Sequence, residues 1–203
     1  MFNELNNYIE KLDTAPLSET RKAVLKPLIA YLKNKTAEKQ FILLNFICTH
    51  NSRRSHLAQV WAQTMAAYFN INNIKCYSGG TEATALFPMV VITLENVGFK
   101  IRKETEGYNP VYKISYSETV PPILGFSKKY DDDANPKSGF AAVMTCSQAD
   151  AGCPFVAGSE KRISIVYEDP KVSDGTPQQQ QIYKERNGQI ATEMKYVFSK
   201  ISL

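Results

Sequence analysis

The sequence predicts an α/β fold: a mainly parallel, four-stranded central sheet, a helical extension ahead of it and a hairpin inserted within it. Three observations predict it. Short apolar runs at Phe41–Ile47, Ile74–Ser78, Phe140–Thr145 and Arg162–Tyr167 read as strands. The first is apolar almost throughout, as a strand covered on both faces must be. Segments of helical spacing alternate with the first two runs, and a strand–helix–strand–helix succession implies crossover connections and parallel pairing.

The elements follow in chain order. Residues 1–38 form the helical extension: Leu5, Ile9 and Leu12 recur at helical spacing, and Pro16 interrupts them. Val24, Leu25, Leu28, Ile29 and Leu32 mark a second apolar face, with Ser18 or Thr20 available as its cap. The polar stretch Asn34–Gln40 reads as a connector to a second unit, residues 39–203. After the first strand, Leu57, Val60, Trp61, Met65 and Tyr68 lie at helical spacing. Gly79-Gly80 stops the second strand, and Gly98 ends a helix over 85–97. Within the inserted segment, about 104–139, Tyr112, Ile114 and Tyr116 alternate with polar residues, and Ile123–Phe126 is the return partner. A last helix runs over 180–201 with Ile182, Ile190, Met194, Val197, Phe198 and Ile201 largely on one face.

Composition narrows the function. Of 203 residues, 43% are hydrophobic and 22% charged, which is ordinary for a globular chain with a sizeable core. The net charge is +4, and its basic residues are dispersed, so no nucleic-acid footprint is read. No apolar run approaches the roughly 20 residues a membrane span needs, and residues 1–10 do not have the pattern of a signal peptide. Four cysteines, Cys48, Cys76, Cys146 and Cys153, are too few for a disulfide scaffold. A reducing cytoplasm is the expected setting, with the cysteines as thiols.

The chemistry concentrates in Cys48-Thr49-His50-Asn51-Ser52-Arg53-Arg54-Ser55, between a buried strand and a helix. A loop that opens a helix turns several N–H groups inward, and the helix dipole adds positive potential. A tetrahedral dianion suits that cradle, and Arg54 can clamp two of its oxygens. The same field favours a Cys48 thiolate, which Ser55 can support by a hydrogen bond. Cys48 is then the nucleophile beneath the bound anion. Asn51 suits a left-handed turn or a tie across the loop, and Arg53 either adds charge at the entrance or is only a solvated first-turn residue. Further along, Asp169 precedes Pro170 at the end of the last strand. Either it is a surface turn, or its carboxyl hangs over the loop and protonates a leaving group. Glu168 and His56 read as solvated, and Cys76 as a core residue.

Cys48–Ser55 together with Asp169-Pro170 resembles the low-molecular-weight protein tyrosine phosphatase superfamily, over roughly residues 40 to 200. Tyr77-Ser78-Gly79-Gly80 looks like that family's second strand and turn. The resemblance implies a three-layer fold with strand order 2-1-3-4. Thr145-Cys146, followed seven residues later by Cys153-Pro154, resembles the thioredoxin-coupled arsenate reductase branch. Lys171 and Val172 stand where ordinary phosphatases of this fold carry aromatic residues.

That branch implies a three-thiol relay. Cys48 attacks arsenate held by the loop and Arg54, and Asp169 assists the leaving group. Cys146 then attacks Cys48, and Cys153 attacks Cys146, leaving a Cys146–Cys153 disulfide for thioredoxin, the external reductant. The plainer alternative makes Cys146 a buried strand-end residue and Cys153 a loop thiol. The enzyme is then a protein tyrosine or phosphomonoester phosphatase. A third reading is a non-catalytic oxyanion binder. No tightly bound cofactor is implied. The resemblance raises a structural potassium ion, but Gln59 stands where an acidic ligand is usual. His50 stands where the family has glycine, a costly exchange if that position needs a positive φ.

Overall fold

The computed structural model describes residues 1–152 and 155–201. The chain runs through α1 (Asn3–Lys11), α2 (Glu19–Ala37), β1 (Ile42–Cys48), α3 (Arg54–Tyr68), β2 (Ile74–Gly80) and α4 (Pro88–Glu95). It continues with β3 (Lys100–Lys103), β4 (Tyr112–Ser115), β5 (Ile123–Gly125), β6 (Phe140–Met144), α5 (Ser147–Gly152) and β7 (Ser159–Ser164). A 3₁₀ turn at Pro170–Ser173 and α6 (Gln179–Ser199) complete it.

Four strands make one parallel sheet in the order β2-β1-β6-β7, the 2-1-3-4 order implied by the resemblance. Residues of β1 pair from Ile42 opposite Ile74 to Cys48 opposite Gly80, and with β6 from Leu44 opposite Ala141 to Ile47 opposite Met144. Strand order reverses between β1 and β6. In an open parallel sheet that crevice, at the carboxyl ends of the strands, is where ligands bind. Cys48 ends β1 there, and Cys146 lies just past the end of β6.

The sheet's core is apolar because both faces are covered. Leu44, Phe46, Leu57, Trp61, Met65, Ile190, Met194 and Phe198 are fully buried in one cluster. Each such side chain contributes on the order of 1.5–3 kcal/mol by leaving water. Leu5, Ile9, Leu25, Leu28 and Leu32 of α1 and α2 enter the same cluster. Ser18 caps α2, its Oγ accepting from Arg21 N at 3.1 Å. From α2, Arg21 grips the buried Glu193 of α6 through two oxygens at 2.7 and 2.8 Å, and donates to Val166 O at 3.1 Å. The N-terminal helices thus brace the segment that leads to Asp169.

Several element readings change. Asn34–Ala37 is helix rather than connector, because α2 keeps its ladder to Glu38 N, which bonds Asn34 O at 3.0 Å. The helix expected from 85 begins at Pro88, whose fixed φ suits a first helical position. The last strand is Ser159–Ser164, shifted towards the N-terminus, and residues 165–169 run extended beyond it. Gly79-Gly80 lies inside β2 rather than after it. A Cβ on Gly79 would stand 2.3 Å from Tyr130 Cα, and one on Gly80 2.6 Å from Thr49 O. The two glycines let other backbone segments close on the strand. The inserted hairpin is a three-stranded antiparallel sheet, β3-β4-β5, because Lys100–Lys103 pairs with Tyr112–Ser115 ahead of the expected β4–β5 pair. No helix among the described residues is long and apolar enough to cross a membrane.

Candidate active site

The Cys48–Ser55 loop is built from its carbonyls outward. Thr81 N donates to Cys48 O (3.1 Å), Glu82 N to Thr49 O (2.8 Å) and Phe87 N to Ser52 O (3.1 Å). Ser127 Oγ and Thr84 Oγ1 both donate to His50 O, at 2.8 and 3.2 Å. In a trans peptide the next N–H points opposite to the carbonyl. Holding these four carbonyls outward therefore turns the N–H groups of Thr49, His50, Asn51 and Arg53 to the concave side. Among the described residues no side chain caps α3, so its first N–H groups add to that concavity. The arrangement can hold a tetrahedral anion.

Asn51 takes the left-handed conformation, φ +44°, and is fully buried. Its Oδ1 accepts from Lys128 N at 2.9 Å, which fixes the orientation of its amide. Its Nδ2 therefore donates to Ser55 Oγ, at 2.9 Å. With that lone pair used, the Ser55 hydroxyl hydrogen is free to point at Cys48 Sγ, 3.1 Å away. A hydroxyl donor there stabilises negative charge on sulfur. Cys48 is 4% exposed, at the floor of the loop.

Arg54 reaches back to the segment after β7. Its Nη1 donates to Tyr167 O at 3.1 Å, and its Nη2 lies 2.5 Å from Asp169 Oδ2. Asp169 is extended, φ −78° and ψ 117°, as a residue before proline prefers. Its other oxygen accepts from Lys171 N at 3.1 Å. The carboxyl is thus held over the arginine of the loop.

Cys146 is fully buried beside Cys48 in a small cluster with Ile47, Phe140 and Met144. Its Sγ accepts from Ala149 N at 3.3 Å and lies 3.4 Å from Thr49 Oγ1. The residue next to the candidate nucleophile therefore touches the second thiol. Asp150 ties α5 to β7 through Arg162 at 2.5 Å and Ser164 Oγ at 2.9 Å. Cys153 lies outside the described residues.

No family model matches the chain. Arsenate reductase of Staphylococcus aureus (strain Newman) is 29% identical over 126 residues, 62% of this chain and 76% of the relative. Arsenate reductase of Oceanobacillus iheyensis is 25% identical over 159 residues, 78% of this chain and 95% of the relative. A solved arsenate reductase in the phosphate binding state aligns over 79% of this chain and 99% of its own, with TM-score 0.51 and 20% identity. A YwlE mutant from Bacillus subtilis aligns over 80% and 99%, with TM-score 0.52 and 15% identity. The chain is thus similar in sequence to arsenate reductases, and it shares the fold of solved arsenate reductases and low-molecular-weight protein tyrosine phosphatases.

Within this fold, Cys48, Arg54, Ser55, Asp169 and Cys146 converge on the strand-order switch. Other residues sit elsewhere than the sequence suggested. Arg53 does not stand at the entrance. Its guanidinium stacks 4.1 Å from the Phe87 ring and bonds Asp174 Oδ2 and Tyr183 OH, both at 2.5 Å. His50 is not among the residues with positive φ, so replacing glycine carries no such strain. Its Nε2 faces Glu82 at 3.5 Å. His56 is fully buried rather than solvated, because the first turn of α3 packs beneath the loop. Burial, then the Lys128 charge, push its pKa down to about 3.

Sequence reasoning missed four contributors. Ser127 and Lys128, from the segment without clear periodicity, brace the loop at His50 and Asn51. Asn109 clamps Ser127 by two bonds, at 2.7 and 3.0 Å. Arg186 of α6 brings another positive charge near Arg54, and burial, opposed by Glu168 and aggravated by Arg54, lowers its pKa. Only a pairing of the insertion with the end of β2 could have pointed to the first two.

The potassium ion does not fit the residues present. Gln59 donates Nε2 to Cys76 O at 3.0 Å and offers a single neutral oxygen. It borders the same cavity as the buried ammonium of Lys128, a like charge to any bound cation. Among the described residues no group of three or more acidic, histidine or cysteine side chains is placed to hold a metal.

Proposed function

We propose that this protein reduces arsenate to arsenite by a relay of Cys48, Cys146 and Cys153, with thioredoxin as the external reductant. The observation that carries the reading is the contact of Cys146 Sγ with Thr49 at 3.4 Å, beside Cys48 and across the β1–β6 switch. A phosphatase needs no second thiol there. The curated relatives named arsenate reductase support the same reading.

Arsenate enters the loop as a tetrahedral oxyanion, and the Arg54 fork takes two of its oxygens. Cys48 attacks arsenic. A water leaves with a proton from Asp169, and a sulfur–arsenic bond replaces an oxygen–arsenic bond. The Cys146 thiolate then attacks Cys48 Sγ. The sulfur–arsenic bond breaks with its electron pair moving to arsenic, which falls from As(V) to As(III) and departs as arsenite. A Cys48–Cys146 disulfide remains. Cys153 attacks Cys146, freeing the Cys48 thiolate, and the dithiol of thioredoxin reduces the Cys146–Cys153 disulfide. Two thiols supply the two electrons. Cys146 and Cys153 are seven residues apart, about 10 Å along a helix, whereas a disulfide needs Cα atoms within about 7 Å. Because α5 spans most of that interval, the relay requires it to unwind.

The test compares thioredoxin-dependent arsenate reduction with hydrolysis of an aryl phosphate. Cys146→Ser abolishes reduction and spares hydrolysis if the relay holds. Reduction that survives this change overturns it. Hydrolysis without any reduction in the unaltered protein assigns a phosphatase, and binding without either reaction assigns an oxyanion binder.

A further inference from the structure

A cavity of about 550 Å³ lies between the edge of β2, the helix α3 and the insertion. None of Cys48–Ser55 lines it. Its size is that of pockets that take small organic ligands. Its wall is largely apolar, with Ile74, Tyr116, Pro122, Ile123 and Phe126 among the lining side chains. At its rim Phe41, Val120 and Leu124 are 57%, 37% and 50% exposed, a local concentration of large apolar side chains in water.

Two polar groups in this wall are incompletely satisfied. Lys128 is 5% exposed. Its Nζ has the Phe126 carbonyl at 3.5 Å and the Phe126 ring at 4.4 Å, and no carboxylate within ion-pair distance among the described residues. Asp132 acts on it only at longer range. A buried ammonium without a counter-ion is costly, and an anion beside it removes much of that cost. Gln59 is also 5% exposed. Its Nε2 is committed to Cys76 O, while its Oε1 is buried and has no hydrogen-bond donor. That oxygen calls for a donor, as the ammonium calls for an anion.

We propose that this cavity binds an amphipathic organic carboxylate, with an aromatic or alkyl body and one N–H or O–H donor. Lys128 is its counter-ion, Gln59 Oε1 accepts its donor, and Ile123, Phe126 and Tyr116 cover its body. The site is separate from the oxyanion loop and does not depend on the reaction run there. Inorganic oxyanions belong to the loop, because this wall is largely apolar and its two lysines, buried Lys128 and exposed Lys75, lack the loop's set of inward N–H groups.

The test uses three probes on the full chain in calorimetric titration: indole-3-acetate, its uncharged analogue indole-3-ethanol, and 1-naphthaleneacetate, which lacks the N–H. Indole-3-acetate is expected to bind at least about tenfold more tightly than the alcohol, and several-fold more tightly than 1-naphthaleneacetate. Lys128→Met removes the preference for the carboxylate. Leu124→Asp, half exposed on the rim, places a negative charge at the mouth and weakens indole-3-acetate by a similar factor in a protein whose unaltered circular dichroism shows it folded. The proposal is overturned by no binding of indole-3-acetate at millimolar concentration, by equal binding of acid and alcohol, or by a Leu124→Asp protein that binds as before. Because the readout is binding rather than turnover, failure of the arsenate reaction leaves the result interpretable.

Discussion

Arg54 and Asp169 form an ion pair at 2.5 Å directly over the loop that ends in Ser55, and both are more buried than exposed. The guanidinium fork that would clamp an oxyanion is thus engaged by the carboxyl that would serve as acid. Under the proposed function an incoming dianion would take the fork from Asp169, and the displaced carboxyl would be released to act on the leaving group, so that binding and acid positioning would be one event.

Asp169→Asn separates the two. Removing the competing carboxylate frees Arg54, so inorganic phosphate should bind several-fold more tightly as an inhibitor. Turnover should fall by about 10²-fold or more, since a positioned acid contributes about that much. With aryl phosphates the loss should grow as the leaving phenol becomes more basic. A uniform loss across leaving groups, with unchanged phosphate inhibition, would show that Asp169 only holds Arg54 in place.

Ser55→Ala tests the chain Lys128–Asn51–Ser55–Cys48. It deletes the one hydroxyl aimed at the sulfur, while the loop keeps its carbonyl bonds. Alkylation of Cys48 by iodoacetamide at neutral pH should slow by about tenfold, the worth of a hydrogen bond to a charged group. Equal rates would mean that the helix N-terminus alone supports the thiolate.

The sheet was legible in the sequence because its strands are covered on both faces. Phe41–Ile47 and Phe140–Thr145 carry no solvent face to blur their pattern, and each is observed within one residue of its predicted bounds. Cys48 and Arg54 were legible because a strand, a loop and a helix in immediate succession dictate their neighbourhood. The insertion was not. Its strands are short and half-exposed, and the part that matters, Ser127-Lys128, acts through backbone pairing to Gly80 and through one hydroxyl. His56 was misread for the opposite reason. A polar residue in the first turn of a helix is ordinarily solvated, but here that turn supports the loop and is roofed by the insertion.

That burial makes His56 an acid-sensitive point. Its pKa in the fold is about 3 against an ordinary 6.5, so below pH 6.5 the unfolded chain binds a proton that the native chain refuses. Stability is therefore full above pH 6.5 and falls as pH drops towards 3. The loss should reach roughly 2 kcal/mol by pH 5, above the range where most carboxylates titrate. Urea unfolding at pH 7 and pH 5 measures it. His56→Gln should flatten the dependence, whatever it does to stability at neutral pH. An unchanged slope in that variant would place the acid sensitivity elsewhere.

Lys128 reverses the pH direction at the alkaline end. Burial lowers its pKa from 10.5 to about 8. Between those values the unfolded chain holds more protons than the native one, so stability rises with pH. Its gain is complete above 10.5 and is lost as pH falls through 8. Opposing groups enter later: burial raises the pKa of the Cys76 thiol above its ordinary 9 and those of Tyr31, Tyr167 and Tyr183 above 10, so each favours unfolding beyond those points. The window from pH 8 to 9 therefore isolates Lys128, with an expected rise of roughly 1 kcal/mol. Lys128→Met should be more stable than the unaltered chain at pH 7, because it deletes an uncompensated buried charge, and should show no rise from 8 to 9. If the unaltered chain shows no rise either, the ammonium already has a counter-ion in solution. Dialysis against indole-3-acetate should then leave the profile unchanged instead of raising stability at pH 7.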